Sequence, residues 1–142
     1  MLQVKHLLET KGNLVYSIGP DQPVLAAIHT MADRFIGALL VMQGDTLVGL
    51  VSERDYARKV ILKGRSSRDT LVREIMTSEL VTVTPEDSVD SCMQLCTNHH
   101  IRHLPVLEAG AVVGVVSIGD LVKAVIDQQS QKIEHLQSYI TG

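Results

Sequence analysis

Val48-Gly49-Leu50-Val51-Ser52-Glu53-Arg54-Asp55 and Val113-Gly114-Val115-Val116-Ser117-Ile118-Gly119-Asp120 are two copies of one pattern, 65 residues apart. The offset holds without a gap over residues 20–55 and 85–120. The chain is therefore a tandem repeat, and a duplicated unit suggests a ligand cleft between its copies. In both copies a hydroxyl and a carboxylate, three residues apart, lie between an apolar strand and a helical run, 56–62 or 121 onward. Ser52 and Ser117 then fall at the N-cap and Asp55 and Asp120 at the third helical position. A box of this kind satisfies orphan backbone N–H groups. It also suits a nucleotide: a helix start with a hydroxyl favours phosphate, and a carboxylate accepts the hydroxyls of a ribose. Gly49 and Gly114, just before the ends of the strands, mark places where backbone comes close to something.

The rest of each copy follows from periodicity. In the second, Val81-Thr82-Val83 reads as a short strand, and Thr84-Pro85-Glu86-Asp87 as a helix start with Thr84 at the N-cap and Pro85 at the first helical position. Val89, Cys92, Met93 and Cys96 then share one helical face, as do Val24, Ala27, Ile28 and Met31 behind Pro20. Apolar strands follow at 38–42 and 104–107, turns at 43–45 and 108–110, and second strands at 47–51 and 112–116, so each copy carries a hairpin.

At 142 residues, 45% hydrophobic, 20% charged and with a net charge of −3, the chain suits a compact soluble protein. A repeat of about 60 residues is marginal alone, so the copies are expected to fuse around one shared core. Basic residues are scattered and the only aromatics are Tyr16, Phe35, Tyr56 and Tyr139, which argues against a nucleic-acid surface. No stretch approaches the length of an apolar membrane span, and the first residues lack a signal-peptide core, so a cytoplasmic location is the expectation. Cys92 and Cys96 occupy the apolar face of a helix and match Ala27 and Met31, so core packing accounts for them better than a metal site with His99, His100 and His103. Four residues apart on one helix, they also have poor geometry for a disulfide. No nucleophile has a designated base, and the chain reads as no enzyme.

The order strand, helix, hairpin, Ser-x-x-Asp and final helix resembles the cystathionine-beta-synthase (CBS) domain, and the tandem resembles a Bateman module. Val72-Arg73-Glu74-Ile75-Met76-Thr77 looks like the usual lead-in to a second copy, with Val4-Lys5-His6-Leu7-Leu8 as its weaker counterpart, and Ile101-Arg102-His103-Leu104-Pro105-Val106 like a typical strand start. The resemblance implies an α/β (α+β) fold in which two CBS domains, each a small sheet packed with helices, are related by a pseudo-two-fold axis. It divides the chain into 1–66 with the lead-in helix, 67–129, and a helical extension over 130–142. It also implies a stand-alone two-domain protein that binds adenosine-containing ligands, pairs into homodimers and can signal to a regulated protein.

In the family each cleft joins the Ser-x-x-Asp of one copy to strand residues of the other. That pattern implies a first site of Ser52, Arg54 and Asp55 with Val81, Thr82, Arg102 and His103, and a second of Ser117 and Asp120 with Tyr16, Ser17, Gly37 and Ala38. Arg102 and His103 offer a phosphate what Gly37 and Ala38 do not, so Asp55 is expected to serve the tighter site for a charged nucleotide, and Asp120 a weaker site, an adenosine moiety with other phosphate contacts, or no ligand. AMP is the first choice of ligand, ADP and ATP share its adenosine, and the open Gly37-Ala38 side makes NAD a close second. A structural or interaction module with vestigial clefts is the alternative from a different class. Beyond Asp120, the apolar residues Val122, Val125, Ile126, Ile133, Leu136 and Ile140 keep helical spacing past what one small lobe can cover, which points to the chain's own body, a homodimer mate or another protein as their cover, with the homodimer favoured over another protein.

Overall fold

The computed structural model describes residues 1–12 and 14–141, the side chains of 138–141 excepted. Two compact units emerge, and they are not the sequence repeats: one holds residues 14–80, the other residues 1–13 with 81–142. The helix α1 (Val4–Lys11) that leads into the first repeat packs with the second, and the short helix α4 (Val72–Ile75) that leads into the second packs with the first.

The unit of residues 14–80 runs β1 (Ser17–Ile18), α2 (Val24–Arg34), β2 (Ala38–Gln43), β3 (Thr46–Ser52), α3 (Glu53–Tyr56), a π-helical stretch (Ala57–Ile61) and α4. Its sheet has the order β1-β2-β3, parallel then antiparallel. The other unit places α5 (Val89–His99), β4 (His103–Glu108), β5 (Ala111–Ser117) and the 24-residue α6 (Ile118–Thr141) with α1. Here the strand expected at 81–83 contracts to one parallel bridge, Val83 to Val106. Both hairpins form in equivalent register, Ala38 opposite Ser52 and His103 opposite Ser117, with a bulge after Val41 or Val106.

One expectation fails at the start of α5. Thr84 is not its N-cap: the helix begins at Val89, Ser88 caps it by accepting from the Ser91 N–H at 3.0 Å, and residues 85–87 form a turn. The reason lies in α1, whose first N–H groups, at Val4 and Lys5, take the carbonyls of Asp87 and Pro85 at 2.9 Å. The Val89 N–H in turn donates to the Leu2 carbonyl at 3.0 Å, so these two carbonyls and the first N–H of α5 pair with the N-terminal segment. In the other unit the N–H groups of Val72 and Arg73 take the carbonyls of Gln22 and Pro20, and α2 starts late for the same reason.

Each unit has its own cluster of buried side chains, in place of the single shared core expected. Val24, Ala27, Met31, Leu39, Val41 and Val51 gather with Val72 and Ile75 of α4 in one. Val89, Cys92, Cys96, Leu104 and Val116 gather with Val4, Leu7 and Leu8 of α1 in the other. The lead-in helices therefore enlarge cores that a bare hairpin and helix would leave small. Both cysteines are buried free thiols on the expected face, and burial pushes Cys92 up to about 11. On α6, by contrast, Val122, Ile126, Ile133 and Leu136 are 40–59% exposed. Ile140, expected to continue that stripe, lies outside the described side chains.

Candidate functional site

Each Ser-x-x-Asp forms a closed capping box. The Ser52 hydroxyl accepts from the Asp55 N–H at 3.1 Å, and Asp55 Oδ2 accepts from the Ser52 N–H at 2.9 Å. In the second copy the corresponding distances are 3.1 and 2.8 Å. The next N–H, of Glu53 or Ile118, donates to the carbonyl of Gly37 at 3.0 Å or of Arg102 at 2.8 Å. The strand starts are thereby drawn against the box of their own unit. Gly37 and Ala38 lie beside Ser52 and Asp55, and Arg102 and His103 lie beside Ser117 and Asp120.

The remaining expected residues take these places. Tyr16 packs against the core of the unit of residues 14–80, its ring lying under the Arg34 guanidinium at 5.1 Å, and its carbonyl accepts from the Leu40 N–H. Ser17 is exposed in β1, opposite Leu40. Arg54 is half-buried on α3. Val81 packs against the core of its own unit and Thr82 is exposed.

Two lysines went unread in the sequence. Lys59 Nζ lies 3.1 Å from Asp55 Oδ1 and donates to the Ile75 carbonyl at 2.8 Å. Lys11 Nζ lies 2.7 Å from Asp120 Oδ2 and donates to the Val115 carbonyl at 2.7 Å. The i,i+4 spacing of Asp55 and Lys59 was a legible signal; the approach of Lys11 from 109 residues away was not. Burial acts to raise the Asp120 carboxyl, but the Lys11 ammonium and the Ser117 N–H hold it below the usual carboxylate value. His103 is pushed down, first by burial, then by Lys11 and Arg102, against an opposing pull from Asp120.

The two repeat glycines mark close approaches within the protein itself. A Cβ on Gly49 would stand 2.6 Å from Met76 Sδ and 3.1 Å from the Thr77 carbonyl oxygen; one on Gly114 would stand 2.7 Å from Leu8 Cδ2. Each strand is thus grazed by the lead-in helix swapped into its unit. Among the described residues no group of three or more His, Cys, Asp or Glu side chains is placed to hold a metal ion, and no helix is long and apolar enough to cross a membrane.

Two hairpin-and-helix repeats, each closed by a Ser-x-x-Asp box, define a tandem CBS pair, a class of regulatory ligand-binding module. The CBS domain model matches residues 13–62 and 72–127, and the chain belongs to that family. It is 44% identical over 127 residues to the CBS domain-containing protein CBSX3, mitochondrial, of Arabidopsis thaliana, covering 86% of this chain and 62% of that longer one. A solved protein with CBS domains from Burkholderia ambifaria MC40-6 is 49% identical, with a TM-score of 0.86 over 89% of this chain and 96% of its own. The CBS pair of MJ0100, crystallised in complex with 5-methylthioadenosine and S-adenosyl-L-methionine, shares the fold at 21% identity, with a TM-score of 0.80 over 90% of this chain and 98% of its own.

Proposed function

We propose that the chain is an adenine-nucleotide sensor, with AMP the preferred ligand ahead of ADP and ATP and with NAD as the second reading. The observation that carries this is the pair of closed boxes with matching geometry. A carboxylate has about four lone-pair directions, and the cap occupies only part of them, so Asp55 and Asp120 retain acceptors for a ribose diol. Ser52 and Ser117 set a hydroxyl at the same helix starts, where phosphate oxygens are favoured. The family pattern adds Arg54, Arg102 and His103 for phosphate and Tyr16, Ser17, Gly37, Ala38, Val81 and Thr82 around the nucleoside. Gly37 and Ala38 carry little side-chain bulk, which favours NAD as the alternative to AMP.

The ligand would act by shifting an equilibrium that a partner protein reads, which requires different ligand contacts in the two states. A homodimer is the assembly proposed, supported by the exposed apolar stripe of α6. Mass spectrometry of small molecules released from the purified, denatured protein tests the ligand class. AMP or another adenine nucleotide at a substantial fraction of the protein concentration is the expected result; a ligand without adenosine would replace the reading.

A further inference from the structure

The sequence assigns Asp120 the weaker site because Gly37 and Ala38 bring no cation to it. The structure places Arg102 and His103 beside Ser117 and Asp120, and from α1 it adds an ammonium in direct contact with the carboxylate. We propose that Lys11 is the phosphate-side residue of the Asp120 site, so that this site takes a nucleoside phosphate in preference to the bare nucleoside. The inference rests on the nucleotide reading above.

Both repeat carboxylates carry an ammonium, but by different routes. Asp55 receives Lys59 from the next turn of its own helical segment. The repeat offset puts Ala124 at the equivalent place in the second copy, so α6 cannot do the same. Lys11 fills that role from the last residue of α1, 2.7 Å from the carboxylate. A lysine supplied independently to each copy indicates a need of the site and not of either helix. Stability is a poor explanation, because the Lys11 side chain is 39% exposed and exposed ion pairs contribute little.

The chemistry fits a phosphate. An isolated Asp120 would repel an anion placed beside it, whereas the Lys11–Asp120 pair is neutral and still offers an acceptor to ribose hydroxyls. An ammonium has three donors; Asp120 and the Val115 carbonyl take two, and one remains for a phosphate oxygen. The pair also borders a groove of about 600 Å³ between α1 and α6, whose lining includes Thr10, Lys123, Ala124 and the carboxylate of Asp127, so the ammonium lies at an opening. Because Lys11 ends α1, occupancy of this site is tied to the docking of that helix.

Calorimetric titration of AMP and of adenosine into Asp55→Asn protein isolates the Asp120 site, and Lys11→Met and Lys11→Arg are then added to that background. Loss of one charge-assisted contact predicts an AMP affinity about tenfold lower or worse in Lys11→Met, an adenosine affinity changed less than about threefold, and substantial recovery of AMP in Lys11→Arg. Hydrogen exchange within α1 should slow on addition of AMP, and not in Lys11→Met. Unchanged AMP affinity, or equal weakening of AMP and adenosine, would overturn the role of Lys11. Failure of both compounds to bind even the wild-type protein would instead overturn the nucleotide reading, and the role of Lys11 with it.

Discussion

At Ser117 and Asp120 the box satisfies orphan N–H groups of α6, and the proposed function asks the same carboxylate to accept from a ribose. His103, paired with Ser117 across the hairpin, feels this cluster. Its folded-state pKa lies below the ordinary 6.5, so the unfolded chain binds the proton more readily. The stability this confers is fully present above pH 6.5 and is lost as pH falls from there through the folded value. Urea unfolding at pH 7.5 and pH 5.5 should show a lower midpoint at the acidic value, and His103→Gln should flatten the difference; an equal drop in that variant would remove His103 as the cause. Asp120 acts further down, its contribution present above the ordinary 3.8 and lost below it. The two boxes were legible because their residues are neighbours in sequence. Lys11 was not, since only the packing of α1 brings it to Asp120.

Elements show what single residues only suggested. Gly49 and Gly114 are required because lead-in residues cross the strands, so Gly49→Ala should lower stability by about 1–3 kcal/mol through overpacking against Met76 and Thr77. Nucleotide affinity should stay within about twofold when measured well below the melting temperature; a selective loss of binding in a fully stable variant would restore the ligand explanation. Hairpins and amphipathic faces were readable from local pattern, with Val89, Cys92 and Cys96 buried as their spacing required. The start of α5 was not, because Thr84-Pro85-Glu86-Asp87 has every local mark of a helix start and loses its carbonyls to a remote helix. On α6, Val122, Ile126, Ile133 and Leu136 expose apolar surface along one long helix. Removing residues 130–142 should convert a dimer to monomer in light scattering; an unchanged mass would show that the tail is not what joins the copies.

For the whole chain the repeat is the organising fact, but folding redistributes it. Two units arise, each completed by the lead-in helix of the other copy, and in each the strand start comes to rest against the unit's own Ser-x-x-Asp. Sequence comparison of the copies could show that Arg102 and His103 differ from Gly37 and Ala38. It could not show that α1 carries a cation to Asp120, which changes the expected contrast between the sites. The account depends on both carboxylates being nucleotide ligands, and calorimetry with AMP on the wild type and on Asp55→Ala/Asp120→Ala tests that most directly. Binding to the wild type and its loss, by about a hundredfold or more, in a double variant that still unfolds cooperatively is the predicted result. Equal AMP affinity in the two proteins, or no binding by the wild type, would contradict it.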